Sequence, residues 1–145
     1  MKIIFSILLT TVLLTFSSVN LYSQTSKSEK VKECLLELFE LSQKDDFKSA
    51  CKYIVYRGED ITRQWNDYLN ENNSDELKYA REICKEIKSY LLECPDYEFK
   101  KFTTETESEG EWCVWKVEFY SSGQTKTKYF AFLKIKGKYC LGDID

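Results

Sequence analysis

The chain has 145 residues, 21 basic against 24 acidic, a formal net charge of −3 and no histidine. A mildly acidic balance argues against nucleic-acid binding, which rests on cations that neutralise phosphates. The missing histidine removes the usual base of serine and cysteine nucleophiles and a usual partner of cysteine at zinc.

The N-terminus opens with Lys2 and then runs without a charge from Ile3 through Phe16. A basic residue followed by a short apolar core is the pattern of a secretory signal, and the polar stretch to Ser23 places cleavage before Gln24. The apolar run is about fourteen residues, short of the roughly twenty that a spanning helix needs, which favours a cleaved signal over a retained membrane anchor. Residues 1–23 are therefore expected to be a signal peptide, 24–30 a flexible lead-in and 31–145 a single domain. That places the protein in the periplasm or outside the cell, with no stable membrane insertion after cleavage. A mature chain of this length is expected to bury about two-thirds of the surface its unfolded form exposes, enough for a core of its own.

Val31, Cys34, Leu35, Leu38 and Phe39 recur at the three-and-four spacing of a helix face. The pattern breaks at Ser42 to Asp46 and resumes at Phe47, Ala50, Cys51, Ile54 and Val55. This predicts a second helix, antiparallel to the first, that continues until Gly58. A shorter segment carries Ile61, Trp65, Tyr68 and Leu69. After the asparagines at 70, 72 and 73, Ser74 or Asp75 is placed to cap a third helix, which bears Leu77, Ala80, Ile83, Cys84, Ile87 and Leu91 and stops before Pro95.

From Tyr97 the period changes to two. Strands are expected from Tyr97 to Thr106, Trp112 to Tyr120, Thr125 to Lys136 and Tyr139 to Ile144, with turns at 121–124 and at Lys136 and Gly137. Helices followed by an antiparallel meander predict an α+β fold. Trp115, Val117 and Phe119 share one face of the second strand. A two-residue turn at Ser122 and Gly123 brings Phe130 and Phe132 to that face, whereas a bulged turn brings Tyr129 and Ala131.

Cys34, Cys51, Cys84, Cys94, Cys113 and Cys140 all follow the expected cleavage site, and an even number in an exported chain makes them disulfide candidates. Connectivity stays open, although Cys34 and Cys51 flank a short helix connection; reduced core cysteines are the alternative. No two are close enough in sequence for a zinc motif, so neither a metal nor a cofactor is expected.

The order of elements, with Lys44 to Ala50 and Phe132 to Tyr139, resembles the cystatin-like α+β superfamily that includes nuclear transport factor two and polyketide cyclases. It is most similar to that superfamily's small exported bacterial branch. The resemblance implies helices laid on a curved four-stranded antiparallel sheet around a cone-shaped cavity. The candidate ligand-binding residues are Trp65, Tyr68, Trp115 and Phe119.

Enzymes of this superfamily usually place an acid or base in the cavity; Asp60 and Asp67, with Tyr56 and Tyr68, are the residues to weigh, against solvated carboxylates and core tyrosines. Lys126, Lys128, Lys134, Lys136 and Lys138 recur along the closing hairpin. They form either a strip for an anionic partner or a solvated, edge-protecting face. The functional expectation is a non-catalytic exported domain that binds a small apolar ligand or a protein. The alternatives are an acid and base isomerase or cyclase, and a structural homodimer packed through the sheet.

Overall fold

A computed structural model describes residues 26–145. The expected signal peptide lies outside the described residues. Helix α1 occupies residues 26–43, so residues 26–30 of the expected lead-in are helical. No proline or glycine interrupts Ser26 to Lys30, and serine, lysine and glutamate are tolerated in exposed helix.

The compact unit Val31–Asp145 begins inside this helix. Val31, Leu35, Leu38 and Phe39 form its buried stripe. Asp45 turns the chain at φ 57°, and Asp46 caps α2 (Phe47–Ala50) by accepting a 3.1 Å bond from the Ser49 amide.

Helix α2 is far shorter than the period predicts. It passes into a single 3-10 turn, Cys51–Tyr53, and the chain is extended at Ile54 and Val55. Tertiary pairing wins over helical phase here. The Val55 amide donates to the Leu141 carbonyl at 2.8 Å, and β-branched Ile54 and Val55 suit an extended backbone laid along a sheet edge.

Helix α3 (Ser74–Glu93) starts one residue earlier than expected because Asn73 is the cap, accepting from the Asp75 and Glu76 amides at 3.0 and 3.1 Å. Its buried stripe is Glu76, Ala80, Cys84, Ile87, Tyr90 and Leu91, and it ends before Pro95.

Strands β1 (Asp96–Glu107), β2 (Gly110–Ser121), β3 (Gln124–Ile135) and β4 (Lys138–Ile144) form one antiparallel sheet in the order β1-β2-β3-β4. The fold is α+β. The β2–β3 turn has two residues, Ser122 and Gly123, both at positive φ, and it sets Trp115 opposite Phe130 and Cys113 opposite Phe132. Primed turns of this kind match the twist of the strands they join.

Cys113, Val117, Phe119, Phe130 and Phe132 are buried in one cluster with the stripes of α1 and α3. Burying a phenylalanine side chain contributes about 1.5–3 kcal/mol, so this interface dominates the stability. Val55, Leu133, Ile135 and Cys140 form a second cluster, with Trp65, Tyr68 and Trp112 packed against it.

A bulge in β1 between Phe99 and Lys101 changes the expected alternation. The extra residue, Lys100, puts Phe99 and Phe102 on the same face, where both rings meet Trp115 at 5.2 and 5.3 Å.

Candidate functional site

The chain between β-branched Val55 and helix α3 is irregular but pinned. Val55 bridges Tyr68, the Tyr56 amide donates to the Asp67 carbonyl at 2.8 Å, and the Leu69 amide donates to the Ile54 carbonyl at 3.0 Å. Inside it, Asp60 closes a local turn by accepting from the Thr62 amide and hydroxyl at 3.0 and 2.7 Å.

Arg63 holds this loop to α3. Its Nη1 and Nη2 donate to the two oxygens of Glu76 at 2.7 and 3.0 Å, its Nε donates to Asp67 at 3.1 Å, and Nη2 also reaches the Tyr68 carbonyl at 3.1 Å. The guanidinium lies 4.0 Å from the centre of the Tyr56 ring. Glu76 is only 8% exposed and additionally accepts from the Asn70 amide at 2.7 Å. Asp67 takes a second cation, Lys136, at 2.8 Å. A carboxylate so enclosed is tolerable only because paired and hydrogen-bonded.

These contacts fix the ionisation of the loop. The Arg63 bonds hold Glu76 below the ordinary glutamate value. Burial pushes Asp67 upward, but the bonds from Lys136 and Arg63 outweigh it and leave its carboxyl lowered. The Thr62 hydroxyl lowers Asp60. All three carboxyls thus move away from the near-neutral range that a general acid or base requires.

Against this loop lies an open cleft of about 590 Å³. Tyr56, Leu69 and Tyr79 supply its apolar surface, and Glu59, Asp75 and Glu76 its acidic groups. Gly58 lets the Tyr56 ring lie close against the wall, since a Cβ there would overlap the phenol end and force the ring to shift. Arg57 also borders the cleft but is committed elsewhere. It donates to the Gly142 carbonyl at 2.9 Å, pairs with Asp143 at 3.3 Å and lies 5.0 Å from the Trp65 ring centre. A smaller cleft of about 350 Å³ lies beside it, lined by Lys52, Arg63, Asp67, Tyr68 and Lys136.

The four candidate ligand residues fall into two groups, Trp65 and Tyr68 against the second cluster and Trp115 and Phe119 with the main one. Tyr68 lines the smaller cleft. Trp65, at φ 62°, packs edge-on against Trp112 at 5.7 Å, and Gly142 leaves the space that the Trp112 ring occupies. Trp115 is half-buried between Phe99 and Phe102. Phe119 is fully buried, with its ring against Phe39, Tyr90, Tyr97 and Phe130, so it fills the core and presents no surface to a ligand.

Of the acid and base candidates, Tyr56 borders the large cleft and Asp67 and Tyr68 the small one. The lysine strip is divided: Lys126 pairs with Glu93, Lys128 lies 5.1 Å from the Tyr90 ring centre, and Lys136 is held by Asp67.

The six thiols are free. Burial pushes Cys51 up to about 11 and Cys140 up to about 12, and only Cys34 is part-exposed. Among the described residues no group of three or more cysteine or carboxylate side chains is placed to hold a metal ion, and no helix there is long and apolar enough to cross a membrane.

Arg63, Glu76 and Tyr79 escaped the reading of the sequence. Glu76 carries a usable signal: it sits one turn before Ala80 on the apolar stripe of α3, and a charge on a buried stripe requires a counter-ion. The Arg63–Asp67 spacing of four residues is the corresponding hint in the loop.

Compared with known proteins, the chain matches no family model, no curated protein and no solved structure.

Proposed function

We propose that Val31–Asp145 is a non-catalytic binding domain of an exported protein, and that it takes a small, partly apolar ligand in the cleft bordered by Tyr56, Leu69 and Tyr79. The cleft itself carries the reading. Its volume of about 590 Å³ falls in the range of about 300–1,000 Å³ typical of small-molecule sites, and two aromatic rings and a leucine beside a few polar groups are the usual lining. Arg63 preorganises the wall, which lowers the ordering cost of binding.

The acid and base alternative has less support. The carboxyls around the loop are lowered by cations and hydroxyls, so they remain ionised where proton transfer needs a group poised near neutrality. In the exported protein the six cysteines meet an oxidising compartment, where Cys51 with Cys84 and Cys34 with Cys140, each near enough to feel the other's charge, are candidate pairs for disulfides. A relationship to the cystatin-like superfamily belongs to the same reading and rests on the order of elements.

Thermal denaturation of the purified protein against a metabolite and lipid library tests the function. A ligand at about 100 times its dissociation constant stabilises by about 2.7 kcal/mol, a shift of several degrees. The expected result is stabilisation that is lost in Tyr79→Ala. No stabilising molecule, or stabilisation that Tyr79→Ala leaves intact, contradicts the reading.

A further inference from the structure

The two edges of the sheet are treated differently. The β4 edge is covered where Ile54 bridges Leu141 and Arg57 donates to the Gly142 carbonyl. Strand β1, twelve residues long and mostly exposed, pairs with β2 alone among the described residues. An open edge presents a row of backbone donors and acceptors that another strand can satisfy.

The bulge at Lys100 blunts the start of β1, but pairing with β2 is unbroken from Lys101 to Glu107. That stretch, Lys-Phe-Thr-Thr-Glu-Thr-Glu, has no proline or glycine and three threonines, a composition that favours strand. Its charges are polarised. Lys101 stands at one end and Glu105 and Glu107 at the other, all exposed and opposite Lys116, Trp112 and Gly110 of β2.

An identical strand laid parallel would set lysine against lysine and glutamate against glutamate. Laid antiparallel, it sets Lys101 of each copy against the acidic end of the other, twice over. Opposite charges across a strand pair stabilise and like charges destabilise. The twofold axis of the commonest dimers generates this antiparallel arrangement. It also covers Phe102, which is half-buried in the single chain.

We infer that β1 is a self-association edge, and that two copies of this chain join antiparallel through Lys101–Glu107 into an eight-stranded sheet. The inference is independent of the cleft, and failure of ligand binding does not touch it.

Sedimentation equilibrium on the purified protein tests it, with Lys101→Glu, with Glu105→Lys and Glu107→Lys together, and with all three changes combined. The positions are exposed, and circular dichroism verifies that each variant keeps its fold. The expected result is a concentration-dependent dimer. Its dissociation constant should rise about tenfold with either charge reversal and return to about the parent value in the combined variant, since reversing both ends restores complementarity. A protein that is monomeric at every attainable concentration overturns the inference. So does a dimer indifferent to the reversals, or one that the combined variant fails to restore.

Discussion

Arg63 and Glu76 show how one pair of side chains turns an irregular loop into a fixed wall. Removing the cation leaves Glu76 buried without a counter-ion, held only by the Asn70 amide, so Arg63→Ala is expected to cost about 3 kcal/mol or more. The additional change Glu76→Leu is expected to recover part of that loss. Chemical denaturation of the two variants checks both statements. The same pair gives a pH dependence. Because the folded-state carboxyl of Glu76 lies below the ordinary value of 4.5, its stabilisation is complete above that pH and is lost as pH falls through the lowered value. Melting temperatures taken from neutrality down to acid should therefore fall below about pH 4.5, more shallowly in Glu76→Gln. Ser42 offers the opposite case. Its hydroxyl is fully buried and faces the Cys84 thiol, a weak hydrogen-bonding group that compensates it poorly. Ser42→Ala removes that desolvated group and adds a better helix former, and it is expected to be neutral or to stabilise by up to about 1 kcal/mol in the same denaturation assay. Thiol burial is read by alkylation: in the reduced native protein iodoacetamide should label Cys34 first, with the five buried cysteines reacting on unfolding.

At the scale of elements, α3 and the hairpins were legible because their signals are local. The apolar period, the break at Pro95 and the turn residues at Ser122–Gly123 and Lys136–Gly137 each act within a few positions. Helix α2 was not, since the extension of Ile54 and Val55 depends on a β4 edge more than eighty residues away. The bulge at Lys100 was missed for a related reason. Strict alternation separates Phe99 from Phe102, and only the packing of both rings on Trp115 shows that an extra residue restores them to one face. The cap of α3 gives a prediction at this scale. Asn73→Ala frees two helix amides and is expected to cost about 1 kcal/mol, while Asn73→Asp retains most of the stability. Thermal melts of the two variants should separate by several degrees.

For the whole molecule, composition and period together specified helices on an antiparallel meander, and the face shared by Trp115, Val117 and Phe119 does meet the helices. The site was less legible. Aromatic residues in a sequence do not reveal whether they line a space or fill it, and Phe119 fills it. The cleft lies instead beside the pinned loop, where it depends on Gly58, Leu69 and Tyr79 converging from segments whose meeting no local pattern encodes. The central claim is that this cleft is where a ligand binds. Backbone amide shifts in heteronuclear NMR spectra of the protein, titrated with any compound that raises its melting temperature, address it most directly. The account predicts perturbations concentrated at Tyr56, Gly58, Leu69, Asn73 and Tyr79; perturbations confined to other parts of the sheet and helices would contradict it.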